Sequence, residues 1–111
     1  LKNANIGNGT KVPHLTYIGD ADVGEKCNIG CGSITANYDG KLKYRTEIGD
    51  GCFVGCDTVM VAPVKLEDGA YTGAGTVVTE DVPAGALVVG RAKVTVKEGW
   101  ADKRREEGRL K

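Results

Sequence analysis

The sequence predicts an all-β solenoid, and three features of its 111 residues support this fold class. An aliphatic residue recurs at every sixth position, most clearly at Ile48, Val54, Met60 and Leu66. Glycine occurs 17 times and often follows the recurring aliphatic residue, whereas aromatic residues make up only 5% of the chain. A period of six fits neither a helical turn nor simple strand alternation. It therefore indicates short strands joined by turns, in coils that each pack only on their neighbours.

The six-residue period divides into two runs. It begins at Ile6, slips by one residue before Val23 and stops after Ile34. It restarts at Ile48 and is expected to end near residue 83. Small or β-branched residues take the fifth position of many repeats (Thr10, Thr16, Cys52, Thr58, Val64, Ala70 and Thr76). We attribute the recurrent glycines to sharp corners with unusual backbone angles. The pattern resembles the hexapeptide-repeat, left-handed parallel β-helix, and the chain would hold three to four triangular coils.

The polar segment at about residues 35–47 interrupts the repeat and is predicted to be a loop ejected from the coil. Its sequence Asn37-Tyr38-Asp39-Gly40 is a strong turn signal. Long loops within compact folds often carry function. We therefore expect this loop to contribute to a binding site.

The β-helix domain is predicted to cover residues 1–83, followed by a C-terminal extension at residues 84–111. Thr95 and Glu98 have the spacing of a capping box, which predicts a short helix through Trp100 to about Glu107. Residues 1–83 carry 7 basic and 11 acidic side chains, whereas residues 84–111 carry 8 and 4. The basic extension either attracts a phosphate-bearing ligand or is a solvated helix.

Composition disfavours several classes of protein. The net charge is zero, which argues against nucleic-acid binding. No apolar run is long enough for a membrane helix, and no signal peptide is visible. Since the sequence starts at Leu1, we expect it to be a piece of a longer protein.

Four cysteines form two C-x3-C pairs, Cys27 with Cys31 and Cys52 with Cys56. Structural zinc sites favour C-x2-C spacing, and residues four apart on a strand lie too far apart to form a disulfide. We therefore predict small buried thiols and a reducing, cytoplasmic compartment.

His14 is the only histidine, and it lies outside the inward-facing aliphatic positions. Its imidazole can therefore face a cleft and act as a base near neutral pH. A single histidine cannot supply the three-histidine zinc site of a hexapeptide-type carbonic anhydrase. A lone histidine is more often an ordinary surface or core residue, so position alone makes His14 a candidate base and leaves that alternative open.

Several motifs carry a more specific resemblance (HLTYIGD at 14–20, NIG at 28–30, ITANYDG at 34–40, FVG at 53–55, VAPV at 61–64 and KEGW at 97–100). Over nearly its whole length the chain resembles the C-terminal acetyltransferase domain of the bacterial bifunctional N-acetylglucosamine-1-phosphate uridyltransferase/glucosamine-1-phosphate acetyltransferase. The resemblance implies direct transfer of the acetyl group from acetyl-CoA to the amine of glucosamine 1-phosphate. The product belongs to UDP-N-acetylglucosamine and cell-envelope biosynthesis.

The resemblance also implies a role for each matching residue. His14 would be the catalytic base. Sugar-phosphate ligands would be Lys2, Tyr17, Asn28 and Lys43, and acetyl-CoA contacts would be Cys31, Asn37, Tyr38, Cys56, Ala74 and Arg91. An arginine that helps to bind the sugar phosphate, the uridyltransferase domain and its magnesium site lie in parts of the family that this sequence does not contain. No metal site is therefore expected in this chain.

The resemblance further implies a homotrimer with active sites between subunits, which agrees with the small core and open ends of a short solenoid. Neither nucleic acid nor membrane is expected as a partner. Two alternatives stay open, because one fold hosts many functions. One is a non-catalytic hexapeptide module that only trimerises, and the other is an acetyltransferase for a different amino sugar.

Overall fold

The computed structural model describes all 111 residues and confirms the left-handed parallel β-helix. Eleven short strands and one helix follow one another along the chain. The strands are β1 (Lys2–Ile6), β2 (Gly19–Val23), β3 (Asn28–Ile29), β4 (Ile34–Ala36), β5 (Thr46–Ile48), β6 (Phe53–Val54), β7 (Val59–Val61), β8 (Val64–Leu66), β9 (Tyr71–Thr72), β10 (Val77–Val78) and β11 (Leu87–Val88), and the helix is α1 (Trp100–Glu106).

Three parallel sheets form the three faces of an elongated prism. Sheet A contains β1, β2, β5 and β8, sheet B contains β3, β6, β9 and β11, and sheet C contains β4, β7 and β10. The chain visits the sheets in the order A, B, C in each coil. We call the line of turns from sheet B to sheet C the B–C edge, and the line of turns from sheet C to sheet A the C–A edge.

The core is a single column of side chains at the predicted inward positions. Ile48, Val54, Met60 and Leu66 are all at most 3% exposed. Each such burial stabilises the fold by about 1.5–3 kcal/mol. Ile34 departs from the prediction, because it points outward, and Thr35, six residues after Ile29, takes the buried position.

The predicted reason for the glycines was wrong. Gly55, which follows an inward aliphatic residue, has an ordinary φ, but a Cβ there would lie 2.7 Å from the Ala74 nitrogen. These glycines are therefore needed because neighbouring coils approach closely. The left-handed backbone occurs two residues later in the repeat, as at Gly51 with φ 66°.

The ejected loop is shorter than predicted and covers residues 37–45. Thr35 and Thr46 lie in β4 and β5, and both are fully buried. Their polar side chains gave the sequence a loop-like character, yet threonine is well suited to strands because it is β-branched.

The solenoid extends past the predicted end of its period. Val82 pairs with Leu66, and β11 pairs in parallel with β9, so pairing continues to Val88. The proline and small residues of this last coil obscured the period. Residues 91–97 have no regular secondary structure.

The helix α1 confirms the predicted position, but the predicted capping box was wrong. Gly99 is the N-cap, with a left-handed backbone and no side-chain cap, and Thr95 lies outside the helix. Arg104 instead stacks on Trp100, with its guanidinium carbon 4.3 Å from the ring centroid. With seven residues, α1 has neither the length nor the apolar character to cross a bilayer.

Candidate functional site

Four of the predicted site residues line up along the B–C edge. Cys31 and Cys56 occupy equivalent turns of neighbouring coils, and the Cys56 carbonyl accepts a hydrogen bond from Gly75, beside Ala74. Bridges on both sides of His14 place it one coil before Cys31 in the same register. The shared positions are His14, Cys31, Cys56 and Ala74.

Arg91 lies at the far end of this line of residues. Its Nη1 donates a hydrogen bond to the Ala74 carbonyl over 3.3 Å. Both residues are exposed, and no acidic side chain pairs with Arg91. The guanidinium therefore retains free donors for an anionic group.

His14 is exposed, and its ring makes no hydrogen bond within the chain. It follows Pro13 and precedes Leu15, which has a φ of 60° and is 84% exposed. The imidazole therefore projects from the edge with its nitrogens available to a ligand.

The cysteines divide into two kinds, so the prediction of buried thiols was right for two of them and wrong for the other two. Cys27 and Cys52 are each 2% exposed, whereas Cys31 and Cys56 are exposed. The exposed sulfurs lie 3.8 Å apart, and the hydrogen bond with Cys56 raises the pKa of Cys31. Spacing along the sequence hid this pair, because its members belong to different coils.

The second group of predicted residues meets at the C–A edge. The Asn37 side-chain amide donates to Asp20 over 2.6 Å and to the Tyr17 hydroxyl over 3.4 Å. Asp20 also accepts a 2.6 Å bond from Asn3. Hydrogen bonds from Asn3 and Asn37, together with the nearby charge of Lys43, lower the pKa of Asp20.

Tyr38 and Lys43 lie in the ejected loop, where they form an antiparallel bridge. The Asp39 carboxylate accepts bonds from the backbone of Lys41 and Leu42, which confirms the predicted turn. The Tyr38 hydroxyl donates to the Gly40 carbonyl over 2.8 Å. The loop is thus a small hairpin with an ordered tip.

Lys2 and Asn28 do not join the hydrogen-bonded cluster at the C–A edge. Lys2 pairs with Gly19 at the open end of sheet A. Asn28 points outward from sheet B between Lys11 and Phe53, three residues before Cys31. The residues predicted to bind the sugar phosphate therefore lie on three different faces of one chain.

Two acidic residues near the loop were missed by sequence reasoning. Asp22 forms a two-pronged ion pair with Arg45, at 2.8 and 2.9 Å, and Asp20 joins Asn3 to Asn37. The hydrogen bonds from Arg45 and Asn5 hold the pKa of Asp22 well below its ordinary value. One signal was available, because Asn-x-Asn at 3–5 returns as Asp-x-Asp 17 residues later.

No predicted site residue lines a depression on the surface of the single chain. The largest depression, of about 400 Å³, lies on sheet A between Asn5, Asp22, Glu47 and Lys65. A smaller depression, lined by Arg45, Pro63 and Asp81, lies at the C–A edge but includes none of the predicted site residues. A single chain therefore presents two exposed half-sites.

Comparison with known proteins identifies the repeat and the relatives. The profile described as "Bacterial transferase hexapeptide (six repeats)" matches residues 45–80. The chain is 58% identical over 109 residues to the "Bifunctional protein GlmU" of Thermoanaerobacter pseudethanolicus, which covers 98% of this chain. A protein of the same name from Clostridium acetobutylicum is 57% identical over 104 residues. The chain spans about a quarter of the length of these relatives, at 24% and 23%.

Solved structures agree with this fold. A soybean serine acetyltransferase in complex with serine has a TM-score of 0.71 at 30% identity, covering 79% of this chain and 38% of its own. The serine acetyltransferase of Neisseria gonorrhoeae has a TM-score of 0.70 at 28% identity, covering 90% and 41%. Both of these similar solenoids are named as serine acetyltransferases.

Proposed function

We propose that this chain, which belongs to the bacterial hexapeptide-repeat transferases, transfers the acetyl group of acetyl-CoA to the amine of glucosamine 1-phosphate. It would be the acetyltransferase part of a bifunctional enzyme whose other part carries the uridyltransferase. The observation that carries the proposal is the alignment of His14, Cys31, Cys56 and Ala74 along one edge that ends at Arg91.

The B–C edge fits an extended, anionic cofactor. Cys31, Cys56 and Ala74 are small, so a ligand can approach the backbone between coils. Arg91 at the far end offers a guanidinium to the phosphates of coenzyme A. The thioester would then lie toward the His14 end, where bound acetyl-CoA supplies the acetyl group.

His14 is the proposed general base. A free imidazole nitrogen accepts a proton from the sugar amine as the amine attacks the thioester carbonyl. The C–N bond forms, the C–S bond breaks, and coenzyme A leaves as a thiolate that takes up a proton to give the thiol, so no acyl-enzyme is needed. Positioning of the two substrates supplies the other main part of the rate enhancement.

The C–A edge is the proposed complement to this cofactor edge. Asn37 and Tyr38 would meet the acetyl end of the cofactor, and Lys2, Tyr17, Asn28 and Lys43 would bind the sugar phosphate. Lysine provides the charge for the phosphate, while tyrosine and asparagine provide hydrogen bonds. Asp20 fixes Asn37 and thereby acts as a positioning residue.

A homotrimer in the cytoplasm would bring the two half-sites together. Two faces carry exposed apolar ladders, with Phe53 and Tyr71 stacked on sheet B, and Ile34 and Val77 in register on sheet C. Sheet A is polar along its outer ladder. Burial of the apolar faces between subunits would place the loop of one chain beside the His14 of another.

The experiment is mass-spectrometric detection of N-acetylglucosamine 1-phosphate from glucosamine 1-phosphate and acetyl-CoA. We expect His14→Ala to lower the rate by about 10²–10⁴-fold without changing trimer formation, because only the proton acceptor is lost. Lys65→Ala, on the polar face, is the matched control and should retain full activity.

Equal rates for His14→Ala and the unmodified chain would overturn the assignment of the base. Binding of acetyl-CoA without product would limit the chain to the cofactor half of the reaction. Absence of both would favour a non-catalytic trimerisation module. Product from a different amino sugar, but none from glucosamine 1-phosphate, would correct the acceptor.

A further inference from the structure

Cys31 and Cys56 form an exposed thiol pair that bridges two coils. Their sulfurs lie 3.8 Å apart, and the Asp57 amide bonds to the Cys31 carbonyl over 3.0 Å, which fixes the register of the two turns. Neighbouring strands lie about 4.8 Å apart, which falls within the range of about 4.4–6.8 Å between the Cα atoms of a disulfide. Rotation of the two side chains could therefore bring the sulfurs to bonding distance without moving the backbone.

A second pair of cysteines occupies the same kind of position but differs in access. Cys27 and Cys52 also stand one coil apart, four residues before Cys31 and Cys56 respectively. Each is 2% exposed, and their thiols donate to the carbonyls of Gly49 and Glu67 over 3.0 and 3.2 Å. A reagent in solution cannot reach this pair, and its thiols already have partners.

We propose that Cys31 and Cys56 are a modification site at which low-molecular-weight disulfides oxidise the pair to an intramolecular disulfide. The exposed position, the 3.8 Å separation and the shared register carry this inference. The site would be reversible, since a small thiol in excess reduces the bridge again. The proposal concerns the thiols alone and does not depend on acetyl transfer.

The chemistry proceeds by two exchanges. The thiolate of one cysteine attacks a sulfur of the small disulfide, forms a mixed disulfide and releases one small thiol. The second cysteine loses its proton, attacks the protein sulfur of the mixed disulfide and releases the other small thiol. Two protein sulfurs are oxidised, two reagent sulfurs are reduced, and the two protein protons leave on the small thiols.

The test uses the reduced, folded 111-residue chain and oxidised glutathione as the probe. After incubation the chain is unfolded, free thiols are alkylated and the intact mass is measured. We expect two of the four cysteines to escape alkylation and no glutathione to remain attached. Excess reduced glutathione should restore all four free thiols.

Variants identify which cysteines react, because trypsin leaves Cys27 and Cys31 on one peptide and Cys52 and Cys56 on another. In the double variant Cys27→Ala/Cys52→Ala, the two remaining thiols should form a disulfide and escape alkylation. In the double variant Cys31→Ser/Cys56→Ser, the two remaining thiols should stay free and be alkylated. If the first variant does not fold, fragmentation of the cross-linked peptides from the unmodified chain gives the same assignment.

Four free thiols after incubation would overturn the proposal. So would glutathione attached to Cys31 or Cys56 without a bridge, since that result means the sulfurs cannot meet. A bridge in Cys31→Ser/Cys56→Ser equal to that in the unmodified chain would assign the reaction to the buried pair and would equally refute the proposal.

Discussion

Arg91 is a cation whose only hydrogen-bond partner in the chain is a backbone carbonyl. It lies beyond the last strand and contacts the Ala74 carbonyl, so its position is fixed without neutralising its charge. Lys93, two residues later, is also exposed but makes no hydrogen bond. A comparison of variants at Arg91 and Lys93 therefore separates the effect of a cation held at a fixed position from the effect of general basic charge.

Arg91→Ala is expected to weaken acetyl-CoA binding by about three- to tenfold at low salt, because a charge-assisted contact to phosphate is lost. The difference should shrink as salt rises, since exposed charges are screened. Calorimetry at two ionic strengths measures it, with Lys93→Ala as the matched control. An unchanged dissociation constant at low salt, or an equal loss in the control, would contradict the contact.

The role of a site residue could be predicted where a family motif implied it. It could not be predicted where the role depends on contacts between coils. His14 and Asn37 stand in recognisable motifs, and the structure places them on exposed turns or in a polar cluster. Asp20 ends the HLTYIGD motif, but its role was not predicted, because that role depends on hydrogen bonds from Asn3, one coil before it, and from Asn37 in the ejected loop. Its backbone, with a φ of 48°, is equally invisible in the sequence.

At certain turns, neighbouring coils of the solenoid lie very close together. Gly55 is buried, and a Cβ there would lie 2.7 Å from both the Ala74 nitrogen and the Thr72 carbonyl oxygen. Backbone atoms cannot yield as a flexible side chain can. Gly90 also has an ordinary φ, but the nearest atom to its Cβ would be 3.6 Å away.

Gly55→Ala is expected to lower the free energy of unfolding by about 1–3 kcal/mol, because an added methyl group overpacks the contact between coils. Gly90→Ala should change it by less than about 0.5 kcal/mol, as an exposed substitution without strain. Denaturant unfolding of both variants measures the difference. Similar midpoints for the two would show that the coils separate easily and that the close approach is unimportant.

At the scale of elements, the period located strands well when aliphatic residues filled it. β5 to β10 follow the predicted frame, and their inward residues are buried. The period was missed at Thr35, which takes the position of an aliphatic residue, and at Thr46, which takes the small-residue position six residues before Cys52, so both were assigned to the loop. The Thr35 hydroxyl is satisfied inside this narrow core, because it exchanges hydrogen bonds with the Gly19 backbone, whereas the buried Thr46 hydroxyl has no partner.

The whole chain separates its two half-sites by the width of one face. His14 projects from the B–C edge, whereas Asn37 and the loop project from the C–A edge, with sheet C between them. In a cyclic trimer each edge can meet the other edge of a neighbour. Under this arrangement, a productive site needs His14 from one subunit and Asn37 from another.

Mixing His14→Ala with Asn37→Ala chains tests this arrangement. After joint unfolding and refolding at equal amounts, random trimers should recover about a quarter of the unmodified activity, because each mixed trimer has one site with both residues intact. The mass-spectrometric assay measures it, with each variant refolded alone as the control. Activity no higher than in the separate variants would place both residues in a site within one chain.

Successive coils differ in length, while the register between them is kept. Paired residues are separated by 17 positions from β1 to β2, by 25 from β3 to β6, by 18 from β6 to β9 and by 16 from β9 to β11. The extra residues of the second coil are absorbed at one corner, and the strands on either side still pair. Corners are therefore the places where such a protein can gain or lose sequence during evolution and acquire new recognition segments, while its stacking pattern is inherited unchanged.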